Sequence, residues 1–172
     1  TNFSLTTSTY ADIVKEFLKK EENIAAIAGH SFGGKVATLL KPKNLILLST
    51  AGILEEKSSQ VKYKIKLAKF LNLFGLGKIG KIFRSKDVNT MSENMYTTFK
   101  NVVDEDFEPV FKQYKNNTLI FWGELDDATS LESGRKISNL IENSKFYSYN
   151  DGHYFFMKNA NDITTKIENG IL

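Results

Sequence analysis

The chain has 172 residues, of which 41% are apolar and 25% charged, with a formal net charge of +3 and no cysteine. That length fits one domain with a substantial core, and the mild charge does not call for nucleic acid. Without cysteine there is no disulfide scaffold, no thiolate zinc site and no cysteine nucleophile. No apolar run is long enough to span a bilayer and no secretory signal stands out, so a cytoplasmic protein is expected.

In chain order, Thr9-Tyr10-Ala11-Asp12 reads as a capping box that opens a helix with Ile13, Val14, Phe17 and Leu18 on its buried face. Asn23 to Gly29 is a nearly continuous apolar run, the pattern of a strand covered on both faces in a parallel sheet. The run from Gly34 to Leu40 reads as a helix. A second strand is expected over Asn44 to Thr50, a third over Asn117 to Gly123 and a fourth over Lys145 to Asn150. Thr129-Ser130-Leu131-Glu132 opens a helix with Ile137, Leu140 and Ile141 facing inward. A last helix runs from Asn161 to Leu172 on Ile163, Ile167 and Ile171. Strands alternating with helices predict an α/β fold: an open, mostly parallel sheet with flanking helices.

One segment interrupts that alternation. From Ile53 to Lys115 only helical signals occur, and Lys57 to Lys86 carries nine lysines and arginines with no acid. Aromatic and aliphatic residues interleave these charges, with Gly75, Gly77 and Gly80 as breaks. We read residues 53–115 as a helical cap inserted into a core domain made of residues 1–52 and 116–172. A basic amphipathic surface for anionic membranes is the competing reading of the same stretch.

The chemistry centres on Gly29-His30-Ser31-Phe32-Gly33, a G-x-S-x-G pattern between an expected strand and an expected helix. This is the context of a nucleophile elbow, in which a tight turn presents the serine above a helix N-terminus. A serine hydroxyl needs a base within reach and an acid to orient that base. Only two histidines are available. His30 lies inside the elbow, next to the nucleophile, whereas His153 follows the fourth strand in a loop at its C-terminal end. Active sites of open α/β sheets form at such ends, so His153 is the expected base. The third strand runs into a loop with Glu124, Asp126 and Asp127, and spacing alone does not rank these carboxylates. The order Ser31, Asp126, His153 is that of an α/β-hydrolase triad.

These motifs resemble the α/β-hydrolase fold across essentially the whole chain. Gly29-His30-Ser31-Phe32-Gly33-Gly34 is similar to the family's G-H-S-x-G-G elbow, and Asn44 to Ala51 resembles the strand that follows it. Leu119 to Asp126 resembles the W-G-x-x-D segment, which implies that Asp126 is the catalytic acid. Asp151-Gly152-His153-Tyr154 resembles the segment carrying the base, and Arg84 to Tyr114 resembles the helical cap of small bacterial esterase-like members. Ser130 stands where the resemblance would place a proline. The family's fold also has strands before the elbow strand, and a loop among them supplies one of two oxyanion-hole N–H groups. From Thr1 onward the sequence offers only the N–H of Phe32 for that role.

The resemblance implies a serine hydrolase acting on a small carboxylic ester, with no metal or organic cofactor. His30, Phe70, Phe74, Met91 and Met95 are the expected substrate-binding residues. Thioesterase, C–C hydrolase and acyltransferase chemistries are alternatives, as is a catalytically incomplete module that binds without turnover. The apolar edge of the elbow strand, Asn23 to Gly29, is expected to be exposed and to pair in a homodimer or with a separate N-terminal segment.

Overall fold

The computed structural model describes residues 4–55 and 92–171. The chain divides into two compact units, one of Thr1–Ser4 and Glu55–Lys100, the other of Leu5–Leu54 and Asn101–Leu172. The second unit carries the sheet. Its four strands are β1 (Ile27–His30), β2 (Asn44–Leu48), β3 (Asn117–Gly123) and β4 (Ser144–Tyr149), all parallel and in the order β1-β2-β3-β4. The helices are α1 (Thr7–Leu18), α2 (Phe32–Leu39), α3 (Glu93–Val103), α4 (Glu108–Gln113), α5 (Leu131–Leu140) and α6 (Ala160–Ile171). A short 3₁₀ turn covers Phe155–Met157.

Alternation along β2 and β3 sends side chains to two cores, as the two-residue period of a strand requires. Leu45, Leu47, Ile120 and Trp122 enter one cluster with Ala37, Phe107, Phe111, Tyr114, Ile137 and Ile141. Ile46, Leu119 and Phe121 enter the other with Phe155 and Ile163, under α6. Fully burying such side chains contributes about 1.5–3 kcal/mol each, and Leu45, Leu47, Ile120, Phe121 and Trp122 are wholly buried. This two-sided cover explains why β2 and β3 read as continuous apolar runs. Residues 101–115, expected within the cap, belong to the same unit as the sheet. Phe107, Phe111 and Tyr114 hold them there by joining its larger core.

Two elements differ from the sequence expectation. The elbow strand begins at Ile27 rather than Asn23. Asn23 has φ +60°, and the Asn44 side-chain amide donates to the Ala25 carbonyl at 2.8 Å, so a side chain stands where ladder bonds would otherwise begin. Helix α1 is capped one turn earlier than expected, by a box between Thr6 and Thr9. Its inner stripe is Thr7, Ala11, Val14 and Leu18, small enough near the N-terminus for close approach to α2, with Tyr10 packed edge-on against Phe32 at 5.2 Å. Ile13 and Phe17, expected on the buried face, are 55% and 63% exposed because they lie one position off that stripe. The remaining predicted strands, and the helices opening near Gly34, Thr129 and Asn161, fall within one or two residues of those observed, and residues 56–91 of the expected cap lie outside the described residues.

Among the described residues β1 has β2 as its only strand neighbour and so lies at the sheet edge. No helix there is long and apolar enough to cross a membrane.

Candidate active site

The site lies at the C-terminal ends of β1, β2, β3 and β4. Ser31 follows the last residue of β1 and is the N-cap of α2, with φ +52° and ψ −123°. Few non-glycine residues adopt positive φ, and such strain persists only where surroundings hold it. Here the holding bonds are identifiable. The Ser31 N–H donates to the Leu48 carbonyl at 3.1 Å, and the Ser31 carbonyl accepts from the N–H groups of Gly34 and Ala51 and from the Thr50 hydroxyl. At Gly29 a Cβ would lie 2.4 Å from the Gly33 carbonyl oxygen, so the elbow can fold back on its strand only with glycine there. Phe32 opens α2, and its N–H is one of the donors that a helix leaves without an intrahelical acceptor.

The loop after β3 carries Asp126. Its Oδ1 accepts from the backbone N–H groups of Ala128 and Thr129, both at 2.9 Å. Its Oδ2 accepts from the Thr129 hydroxyl at 3.0 Å and lies 2.7 Å from His153 Nδ1. Burial pushes the Asp126 pKa up, but hydrogen bonds from Thr129, His153, Ser49 and Ala128 outweigh it and hold the carboxyl below its usual value. An ionised carboxylate on Nδ1 leaves the proton there and frees Nε2 to act as a base.

His153 reaches this position because two loops touch. A Cβ at Gly123 would lie 2.3 Å from the Gly152 carbonyl oxygen, so only glycine lets the end of β3 meet the loop after β4. The Leu125 N–H then donates to the Asp151 carbonyl at 3.0 Å. His30 closes the other side. Its Nε2 lies 3.1 Å from the His153 carbonyl oxygen, and its ring centre is 4.4 Å from that of His153.

On one unit, Asp126 meets the His153 ring and His30 meets the His153 backbone, and Ser31 and Phe32 follow His30 directly in the chain. Glu124, a rival acid, accepts instead from the exposed Ser148 hydroxyl. Phe70, Phe74 and Met91 lie outside the described residues. Met95 is on α3 with its side chain exposed.

Three supporting residues escaped the sequence analysis. Ser49, at φ +40°, follows β2, accepts from the Gly123 N–H at 3.4 Å and donates to Asp126. The Thr129 hydroxyl lies within donating distance of both Asp126 Oδ2 and the Ser49 carbonyl. A hydroxyl residue three positions after an acid is a turn signal that could have revealed it. Lys35, within an otherwise small and apolar helix, is 1% exposed. Its Nζ donates to the carbonyls of Val102 (2.7 Å) and Glu105 (3.2 Å) and pairs with the Glu105 carboxylate at 3.0 Å. The Thr7 hydroxyl donates to that same carboxylate. A lone lysine amid Gly, Ala and Val was the available signal.

Among the described residues no cluster of three histidine or acidic side chains could hold a metal ion. The sequence matches the family described as serine hydrolase (FSH1) over residues 4–162. The chain belongs to the FSH1 serine hydrolase family. No curated protein matches it by sequence. Among solved structures, an esterase from Exiguobacterium antarcticum is similar with a TM-score of 0.67 and 20% identity, over 96% of this chain and 74% of that one. A hydrolase from Pseudomonas aeruginosa is similar at 0.67 and 18%, over 96% and 72%. MenH from S. aureus is similar at 0.64 and 20%, over 98% and 76%. At these identities the likeness establishes a shared α/β-hydrolase fold. Family membership rests on the FSH1 match.

Proposed function

We propose that this serine hydrolase cleaves small carboxylic esters through Ser31, His153 and Asp126. The observation that carries the proposal is the Asp126–His153 pair at 2.7 Å, set beside a serine held at positive φ on a helix N-terminus. His153 takes the Ser31 proton as the hydroxyl oxygen attacks the ester carbonyl. It then returns that proton to the leaving alcohol, giving an acyl-enzyme, and the same histidine activates water for deacylation. Asp126 stabilises the imidazolium formed in each half. The Phe32 N–H and the N-terminal end of α2 face the developing oxyanion.

Hydrolysis of p-nitrophenyl acetate tests this. The unsubstituted chain should turn over, and Ser31→Ala should lower kcat by at least about 10⁴-fold with the fold intact by circular dichroism. Equal turnover by the two proteins would remove Ser31 from the reaction. A folded chain that turns over no ester of the p-nitrophenyl series would contradict the ester reading.

A further inference from the structure

His30, expected to touch substrate, makes a specific contact with the segment that carries His153. Nε2 meets the backbone carbonyl of His153. The ring is enclosed by His153 at 4.4 Å, Phe156 at 4.9 Å and Tyr154 at 5.4 Å between centres. All three belong to the segment that follows β4, so one side chain from the elbow grips the segment carrying the base. We propose that His30 is a positioning residue: its Nε2–H, donated to the His153 carbonyl, fixes the base's backbone against the nucleophile turn. The inference rests on the triad reading of Ser31, Asp126 and His153.

The chemistry of the bond sets its direction. A carbonyl oxygen only accepts, so His30 must carry hydrogen on Nε2. If His30 is neutral, Nδ1 is then a bare lone pair. Burial favours that neutral form and pushes the His30 pKa down, although the His153 carbonyl opposes this. The titratable groups facing His30 are His153, Tyr154 and Asp126. On its sheet side His30 is paired with Leu48, which carries no charge. His153 must become an imidazolium during each half-reaction, and a second positive ring at 4.4 Å would oppose it. A neutral donor therefore suits this place better than a cation.

The distance also explains why the contact matters. His153 is held at its ring by Asp126 and at its backbone by His30, with Ser31 adjacent to His30 in the chain. Losing the backbone hold leaves the ring free to pivot about its bond to Asp126. Misplacing a catalytic group by about 1 Å can cost about 10²-fold in rate.

The test uses two amides of different reach. Glutamine can place its amide nitrogen near the site of Nε2, whereas asparagine is shorter and cannot. With p-nitrophenyl acetate, His30→Asn should lower kcat about 10²-fold with KM changed less than about twofold. His30→Gln should recover kcat to within about tenfold of the parent. Long-range ¹H–¹⁵N spectra give a readout that needs no turnover, because the chain has only two histidines. At pH 7 the His30 ring should be neutral with hydrogen on Nε2, and His30→Asn should shift the His153 ring signals more than His30→Gln does. A chain without esterase activity that still shows this spectrum would sink the ester-cleavage proposal and leave the His30 contact standing. Hydrogen on Nδ1 of His30, equal losses in the two variants, or a KM effect with kcat unchanged would overturn the positioning role.

Discussion

His153 Nδ1 lies 2.7 Å from Asp126 Oδ2, and that carboxylate is fastened at its other oxygen by two backbone N–H groups. The carboxylate is therefore fixed by its own turn, as the proposed acid that orients His153 must be. Asp126→Asn keeps the size but can present its amide N–H to Nδ1, which favours the wrong imidazole tautomer. Ester turnover should fall about 10⁴-fold, with thermal stability lowered only modestly. Unchanged kcat in steady-state assays would remove Asp126 from the acid role.

The same carboxyl makes a prediction about acid stability. Its folded pKa lies below the ordinary value of 3.8. The stabilisation from its hydrogen bonds is thus fully present above that value and is lost as pH falls through the lower, folded pKa. His30 acts in the neighbouring window. Its folded pKa lies below 6.5, so the unfolded chain binds its proton first and stability declines as pH drops below 6.5 toward the folded pKa. Chemical denaturation as a function of pH should show His30→Gln flattening the upper window and Asp126→Asn flattening the lower one.

Gly123→Ala tests the contact between the acid and base loops. The added Cβ would meet the Gly152 carbonyl at 2.3 Å, and both neighbours are backbone that cannot rotate away. The loops must part, at a cost of about 1–3 kcal/mol, and the Asp126–His153 bond should lengthen with loss of turnover. Wild-type kcat and melting temperature in this variant would show that the loops move independently.

Thr129→Val keeps the shape but removes the hydroxyl whose one hydrogen can go to Asp126 Oδ2 at 3.0 Å or to the Ser49 carbonyl at 3.2 Å. A hydrogen bond to a charged group contributes about 1.5–3 kcal/mol. The variant should be less stable by up to that amount, and its pH-dependent unfolding should place the Asp126 pKa higher than in the parent. No change in that titration would assign Thr129 to the turn alone.

Much of this was legible in the residues. β3 was readable to the residue because Thr118 to Trp122 are covered on both faces and nothing competes with the ladder. The strand-end positions of Ser31, Asp126 and His153 were legible because each sits in a short motif after an apolar run. The start of β1 was not, since the apolar run Ile24 to Ala26 looks like strand until Asn44 caps Ala25 from another element. The contact of His30 was not legible either: its partner is a carbonyl 123 residues away in the chain. Lys35 was hidden for the same reason, its partners Val102 and Glu105 arriving from a distant segment.

The most direct test of the central claim is labelling with a fluorophosphonate, which forms a covalent bond only with an activated serine. Intact-mass and peptide mapping should find one adduct on Ser31, abolished by Ser31→Ala and strongly slowed by His153→Ala. An unlabelled Ser31, under conditions that label a control serine hydrolase, would contradict it.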